Sequence, residues 1–273
     1  MIEKNKLLVI NPGSTSTKIA VFDDEHMEFQ ETIRHSVEDL SEYKNIFDQY
    51  EYRKAIILDI LKGKNIDLNS LTGIVGRGGL LKPIEGGTYE IGERMLSDLK
   101  AGRQGEHASN LGGIIAYEIA RELGIKGFIV DPVVVDELSD VARISGLRGI
   151  ERKSIFHALN QKAIARRYAK SQGKKYEDMN LIVAHLGGGI SVAAHSHGKV
   201  VDVSNALDGE GPFSPERTGG LPVGDLIKLA FSNKYSMEDM KKMIKGNGGL
   251  VSYLNTTNAM EVGKRIKEGD EYA

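Results

Sequence analysis

One short pattern occurs in each half of this chain, and it narrows the possible folds more than any single residue does. Leu8-Val9-Ile10-Asn11-Pro12-Gly13 runs straight into a polar turn and another apolar stretch, and Ile182-Val183-Ala184-His185-Leu186-Gly187 does the same. Short apolar runs bounded by glycine and hydroxyl residues read as paired strands. Each unit is strand, small-residue turn, strand and further strand, which looks like one supersecondary unit used twice. Two such halves would set two phosphate-facing hairpins across a cleft. Hairpins with glycine turns are common, so the repeat by itself supports accidental similarity equally well.

Alternation predicts strands over residues 6–10, 18–22 and 27–33, joined closely enough for an antiparallel meander. A helix is expected over 43–61, with Ile46, Phe47, Tyr50, Ala55, Leu58 and Leu61 as its apolar stripe. A strand at 73–75 runs into a glycine loop at 76–79. Helices at 93–99 and 108–123 follow, the second ending at Gly124, a good residue for a helix C-terminus. A strand at 127–130 delivers Asp131-Pro132. In the second half a basic helix is expected over 153–171, then strands at 181–185, 190–195 and 199–203. Beyond Asp225 the chain reads as mostly helical, broken at Gly246, Gly248 and Gly249. Residues 260–273 read as a helix that stops in mid-pattern with no capping signal.

The 273 residues allow one large domain or two medium ones, and a formal net charge of -2 gives no basic surplus for nucleic acid or anionic membrane. Without cysteine the chain has no disulfide, thiolate metal site or cysteine nucleophile, which fits a reducing cytoplasm. The apolar run near the N-terminus is too short for a signal segment, and no stretch is long enough to span a bilayer. Glycine is abundant, 32 residues against 6 prolines, and it clusters after apolar runs, where backbone must approach a ligand closely.

The turn Asn11 to Lys18 carries four hydroxyls, a glycine and a carboxamide. Its backbone N–H groups can converge on phosphate oxygens, its hydroxyls add donors, and Asn11 can hold a phosphate oxygen or a Mg²⁺-bound water. Ser14, Ser16 and Lys18 belong to the same cradle, although a solvated hairpin turn explains it as well. The spacing is not that of a Walker A loop. The second turn, His185 to Gly189, spends Gly187, Gly188 and Gly189 where a hairpin needs one or two, and His185 ends an apolar strand where it can meet a phosphate. Arg77 in Gly76-Arg77-Gly78-Gly79 and Arg217 in Glu216-Arg217-Thr218-Gly219 each offer a planar fork to a carboxylate or phosphate. A surface ion pair is the ordinary alternative for each. Asp131, at a strand end, suits Mg²⁺ or a proton, against an Asx turn before proline. His157 reads as a core-facing histidine on its helix, and His195 and His197 as solvated. Neither a zinc-protease histidine pair nor a nucleophile elbow is present.

Together these stretches resemble the acetate/butyrate kinase family. Val9-Ile10-Asn11-Pro12-Gly13-Ser14-Thr15-Ser16-Thr17-Lys18 is similar to its first phosphate motif. Gly76-Arg77-Gly78-Gly79, Phe156-His157, His185-Leu186-Gly187-Gly188-Gly189 and Glu216-Arg217-Thr218-Gly219 follow in the family's order. Pro12 and the run Gly78-Gly79-Leu80-Leu81-Lys82-Pro83 look like the butyrate branch. The resemblance implies an α/β fold with two ribonuclease-H-like domains of the actin, Hsp70 and sugar-kinase type flanking a nucleotide cleft, residues 1–132 and 133–273. It implies reversible, Mg²⁺-dependent phosphoryl transfer from ATP to butyrate or a branched short-chain acid, giving the acyl phosphate and ADP. By the same resemblance Asn11, Ser14, Ser16 and Lys18 face phosphates, and His185 and Gly187 to Gly189 hold those of ATP. Arg77 and Arg217 bind the carboxylate and the phosphoryl in flight, His157 steadies its equatorial oxygens, and Asp131 organises Mg²⁺ or the reacting oxygen. A cytoplasmic homo-oligomer is implied, with no nucleic acid or membrane as partner. The chain is shorter than its relatives, so a truncated second domain is expected, lacking a glycine motif for adenosine, a carboxylate near the metal and a returning helix.

A carboxylate is already ionised near neutral pH, so its attack on phosphorus needs positive charge and alignment rather than a strong base. Acetate or propionate as substrate, and an inactive remnant, are the alternatives within the family. A sugar hydroxyl would need a base, which paired arginines do not supply.

Overall fold

Leu8 and Ile10 are fully buried while Asn11 between the same strand's ends is exposed, so the first strand has one face in the core and delivers a polar residue at its tip. A computed structural model describes residues 5–273. Contacts divide it into a first unit ending at Val135 and a second running from Asp136 to Ala273.

In the first unit β1 (Lys6–Pro12), β2 (Ser16–Asp23) and β3 (His26–Arg34) form the expected antiparallel meander. The chain then passes through α1 (Val37–Ser41), a single 3₁₀ turn and α2 (Tyr50–Gly63). It returns as β4 (Gly73–Arg77), parallel to β1. Next come β5 (Thr88–Glu90), α3 (Glu93–Lys100), α4 (Asn110–Leu123) and β6 (Lys126–Val130), with β6 parallel to β4. The sheet order is β3-β2-β1-β4-β6-β5. Leu8, Ile10, Ile74 and Ile129 from the sheet meet Ile57 and Leu61 of α2 and Leu111, Ile114 and Ile115 of α4 in one apolar core. α4 ends at Gly124, which adopts a left-handed conformation at φ 68° and caps the last turn.

Four details of this unit differ from the sequence reading. The helix expected from residue 43 starts at Tyr50, because the Asp48 carboxylate accepts the Asn45 backbone N–H at 3.2 Å and folds that stretch as a turn. Its buried stripe is Arg53, Ile57 and Leu61, with Ala55 outside, since an arginine occupies a core position that apolar periodicity skips. The short edge strand β5 was not anticipated; three residues carry too little alternation to be seen. Finally, Gly76 and Arg77 belong to β4 and not to a loop. Gly76 has a packing reason: a Cβ there would lie 2.1 Å from the Gly112 carbonyl oxygen of α4, so strand and helix touch backbone to backbone.

The second unit begins with α5 (Asp140–Arg143) and α6 (Ala158–Ser171), followed by the antiparallel sheet β7 (Asn180–Leu186), β8 (Ile190–Ser196) and β9 (Lys199–Val203). Ala165 and Ala169 of α6 pack with Tyr176 on Leu181 and Val183 of β7. The β8–β9 turn places His197 and Gly198 at φ 48° and 81°, the positive values that a tight hairpin requires. Buried Lys162 bonds both oxygens of buried Glu137 at 2.8 Å, and Glu137 also accepts the Val200 N–H, which ties the start of the unit to α6 and β9. Helices α7 (Val223–Ala230), α8 (Met237–Ile244), α9 (Leu250–Leu254) and α10 (Ala259–Lys267) complete it. No helix among the described residues is long and apolar enough to cross a membrane.

Three expectations are corrected here. The helix expected from residue 153 starts at Ala158, because Ile155 is held extended by the Ala206 N–H at 2.9 Å; His157 therefore precedes the helix. His195 is buried, not solvated. The last helix does not run to residue 273. It closes at Lys267 with Gly269 left-handed at φ 91°, its N–H bonded to Ile266 and that of Asp270 to Arg265, a Schellman cap.

Replacing Gly76 by alanine should lower the stability of the first unit by about 3 kcal/mol, because the new methyl meets backbone that cannot swing away. Urea denaturation followed by circular dichroism will show it as a lower midpoint, and an unchanged midpoint would mean that β4 and α4 can separate freely.

Candidate active site

Strand register gathers the polar residues of the first unit at one end of its sheet. Asn11 of β1 lies opposite Lys18 of β2, and Ile10 lies beside Gly76 of β4, so Asn11, Lys18 and Arg77 share one edge. The Arg77 Nη1 donates to Asn11 Oδ1 at 3.3 Å. Asn11, Ser14 and Lys18 are exposed and Ser16 is half-buried. The turn is closed by the Gly13 N–H on the Ser16 carbonyl at 2.7 Å.

Beneath this turn lies a residue that sequence reasoning missed. Arg53 of α2 is completely buried, and its Nη1 donates to the Gly13 carbonyl at 2.8 Å, the Ser16 carbonyl at 3.3 Å and Thr17 Oγ1 at 3.1 Å. Its Nη2 donates to the Ser14 carbonyl at 3.0 Å and to Gln49 Oε1 at 2.8 Å. All these partners are neutral oxygens. Burial lowers the arginine's pKa, yet from so high a starting value the group stays charged. A buried cation with no paired carboxylate projects positive potential through the turn it braces, which favours an anion outside it. The Thr17 hydroxyl, filled by Arg53 on one side, meets His35 Nε2 at 2.9 Å. Burial, aided by the Arg53 charge, pushes the His35 pKa down to about 4.

Asp131 follows Val130, the residue beside Arg77 in the β4–β6 register. It is fully buried at φ 37°, and its Oδ1 accepts the Gly87 N–H at 2.8 Å, clasping the segment that leads into β5. Loss of water around Arg77 lowers its pKa as well, although the side chain reaches solvent.

In the second unit the rings of His157 and His185 stack at 3.8 Å and 10°. His185 Nδ1 meets Asn160 Oδ1 at 3.0 Å, and partial burial lowers its pKa. His157 Nδ1 meets Ser191 Oγ at 2.9 Å. The glycine turn between β7 and β8 lies against Arg217. A Cβ on Gly189 would fall 2.0 Å from Arg217 Nη1, so this glycine makes room for the protein's own arginine. Gly187 and Gly188 have ordinary clearance. Arg217 Nη1 donates to the Ala206 carbonyl, Nη2 lies 4.0 Å from Glu216, and its buried Nε has no hydrogen-bond partner. Burial lowers the Arg217 pKa, opposed by Glu216. Ser214 Oγ fixes the turn by donating to the Gly188 carbonyl at 2.6 Å.

The structure thus groups Asn11, Ser14, Ser16, Lys18, Arg77 and Asp131 in one unit, and His157, His185, Gly187, Gly188, Gly189 and Arg217 in the other. Arg53, Gln161, Ser191 and Ser214 escaped sequence reading. Among the described residues no three His, Cys, Asp or Glu side chains converge as metal ligands. Asn11 has its oxygen on Arg77, and Asp131 has one on Gly87. These residues do not build a resident metal cage.

A chain of known activity shares this sequence closely. Butyrate kinase 1 of Clostridium acetobutylicum is 62% identical over 266 residues, covering 97% of this chain and 75% of the relative. The chain belongs to the acetate/butyrate kinase family. A probable butyrate kinase of Clostridium botulinum is 60% identical with the same coverage. The acetokinase family model matches residues 144–273. At the level of fold, the acetate kinase of Porphyromonas gingivalis superposes with a TM-score of 0.77 at 19% identity, covering 98% of this chain and 74% of that one. The propionate kinase of Francisella tularensis gives 0.73, also at 19% identity, covering 98% and 75%. The fold is the actin, Hsp70 and sugar-kinase type that the family resemblance implied.

Two buried neutral histidines make this family member acid-sensitive. His35 and His195 both have pKa values pushed from 6.5 down to about 4, chiefly by burial. The unfolded chain takes up protons near pH 6.5, which the folded one refuses until about pH 4. Their contribution is therefore complete above about pH 6.5, falls as the pH drops toward 4, and is level below that. Each is worth on the order of 3 kcal/mol across that window. Urea midpoints measured from pH 7.5 to 4 should fall steadily, and less steeply in His195→Gln; parallel slopes would remove the role given to His195.

Proposed function

We propose that this chain transfers the terminal phosphoryl group of MgATP to butyrate or a branched short-chain acid, reversibly, giving the acyl phosphate and ADP. The observation that carries the reading is the open cationic edge formed by Arg77, Asn11 and Lys18 above the buried charge of Arg53. Membership of the family supports a carboxylate as the acceptor and ATP as the donor.

The chemistry asks for little covalent participation by the protein. One carboxylate oxygen forms a bond to the γ-phosphorus as the bond to the leaving β-phosphate oxygen breaks, and the electron pair departs on ADP. Two anions must be brought in line, so the catalytic contribution is positive charge and orientation. Arg77 is assigned to the carboxylate, with its fork held toward Asn11. Ser14, Ser16 and Lys18 are assigned to phosphate oxygens, and Asn11 and Asp131 to waters of the nucleotide's metal ion. In the second unit His185 and the Gly187 to Gly189 backbone take nucleotide phosphates, while Arg217 and His157 take oxygens of the group in flight.

Hydroxylamine trapping of acyl phosphate tests the reading directly. Butyrate and isobutyrate should give hydroxamate at higher kcat/KM than propionate and acetate. Arg77→Ala should lower kcat/KM on butyrate by roughly 10² to 10³, the loss typical of a removed charge-stabilising donor. Acetate as the preferred acid would reassign the substrate, and full activity in Arg77→Ala would remove the carboxylate role.

A further inference from the structure

A line of buried polar groups runs from the interior of the second unit to His157, and its hydrogen positions are determined. Gln161, Ser191, His195 and Tyr176 are all buried. Gln161 Nε2 lies 3.0 Å from the Ser191 carbonyl oxygen. That oxygen only accepts, so the amide nitrogen of Gln161 faces Ser191 and its oxygen faces away. The second Nε2 hydrogen then goes to Ser191 Oγ, at 2.8 Å. Gln161 Oε1 must accept from His195 Nε2, at 3.0 Å, which makes His195 the Nε2–H tautomer and leaves its Nδ1 to accept from the Tyr176 hydroxyl at 2.7 Å. Since His195 is held neutral by burial, it has one hydrogen and no other arrangement satisfies both neighbours.

The consequence falls on His157. Ser191 Oγ already accepts from Gln161, and its one hydrogen has a single acceptor in reach, His157 Nδ1 at 2.9 Å. If Nδ1 carried a proton instead, the buried hydroxyl hydrogen would lose its partner, a penalty of a kind that folded interiors avoid. We propose that Gln161 and Ser191 are positioning residues that hold His157 as the Nε2–H tautomer, presenting a fixed donor from Nε2. His185 has no such fixing, because its Nδ1 rests on the exposed amide of Asn160, which is free to turn. The two stacked rings therefore differ: His157 is a preset neutral donor, and His185 can change its tautomer or charge. This deepens the proposed function, in which His157 donates to the phosphoryl group, and it rests on that reading only for the use made of the donor.

The test reads tautomers without any substrate. A long-range ¹H–¹⁵N correlation spectrum of the ¹⁵N-labelled chain at pH 7.5 is recorded, with the His157 signals assigned by their loss in His157→Gln. His157 should show an unprotonated Nδ1 and a protonated Nε2. Gln161→Leu, which removes the donor to Ser191, should move the Nδ1 signal toward the protonated position. It should also lower kcat about tenfold with KM for MgATP changed less than about twofold. Ser191→Ala serves if the leucine variant does not fold. A protonated Nδ1 in the unaltered chain would overturn the proposal, as would an Nδ1 signal untouched by both variants. The spectroscopic outcomes are independent of whether butyrate is the substrate.

Discussion

The fully buried guanidinium of Arg53, bonded only to neutral oxygens, is the interaction on which the anion-facing end of the first unit depends. It holds three backbone carbonyls of the turn from Gly13 to Ser16 and the Thr17 hydroxyl, and in doing so it fixes where the exposed Ser14, Asn11 and Lys18 stand. A buried ion without a counter-ion is expensive to desolvate, and the several hydrogen bonds offset that only in part. The surplus positive potential is what the proposed phosphate contact of this turn needs, so the folding penalty and that proposed function have one physical source.

The two units brace their turns with different materials. In the first, an internal cation braces a hydroxyl-rich turn. In the second, a glycine turn lies against Arg217, and Ser214 holds it by the Gly188 carbonyl. Arg217 keeps an unpartnered Nε and a lowered pKa, marks of a cation short of partners. Of the two stacked imidazoles, His157 meets the interior through Ser191, whereas His185 rests on the exposed amide of Asn160. Charge supplies attraction in both units, while buried hydrogen bonds supply direction.

Much of this was legible in the sequence. The antiparallel openings of both sheets, the existence of a strand leading to Arg77 and the glycine ending α4 all followed from alternation and turn chemistry, because those signals are local. The motif stretches were visible for the same reason, while the roles expected of them came from the family resemblance. What stayed hidden were contacts that join distant segments. Arg53 sits on the core-facing stripe of α2, where a search for apolar periodicity steps over it and selects Ala55 instead. Gly76 was read as clearance for a ligand, whereas its neighbour is the backbone of α4. His195 looked like a turn residue, yet strand pairing carries its side chain inward to Gln161 and Tyr176. Polar residues that pair with each other in the interior leave no periodic trace.

The most direct measurement follows one oxygen atom. The chain is given MgATP and butyrate labelled with ¹⁸O in both carboxylate positions, the acyl phosphate is cleaved by hydroxylamine, and the released phosphate is weighed by mass spectrometry. If the carboxylate held at Arg77 attacks phosphorus itself, the bridging oxygen comes from butyrate and the phosphate carries one ¹⁸O. Unlabelled phosphate would contradict attack of the carboxylate on phosphorus, the step proposed for this chain.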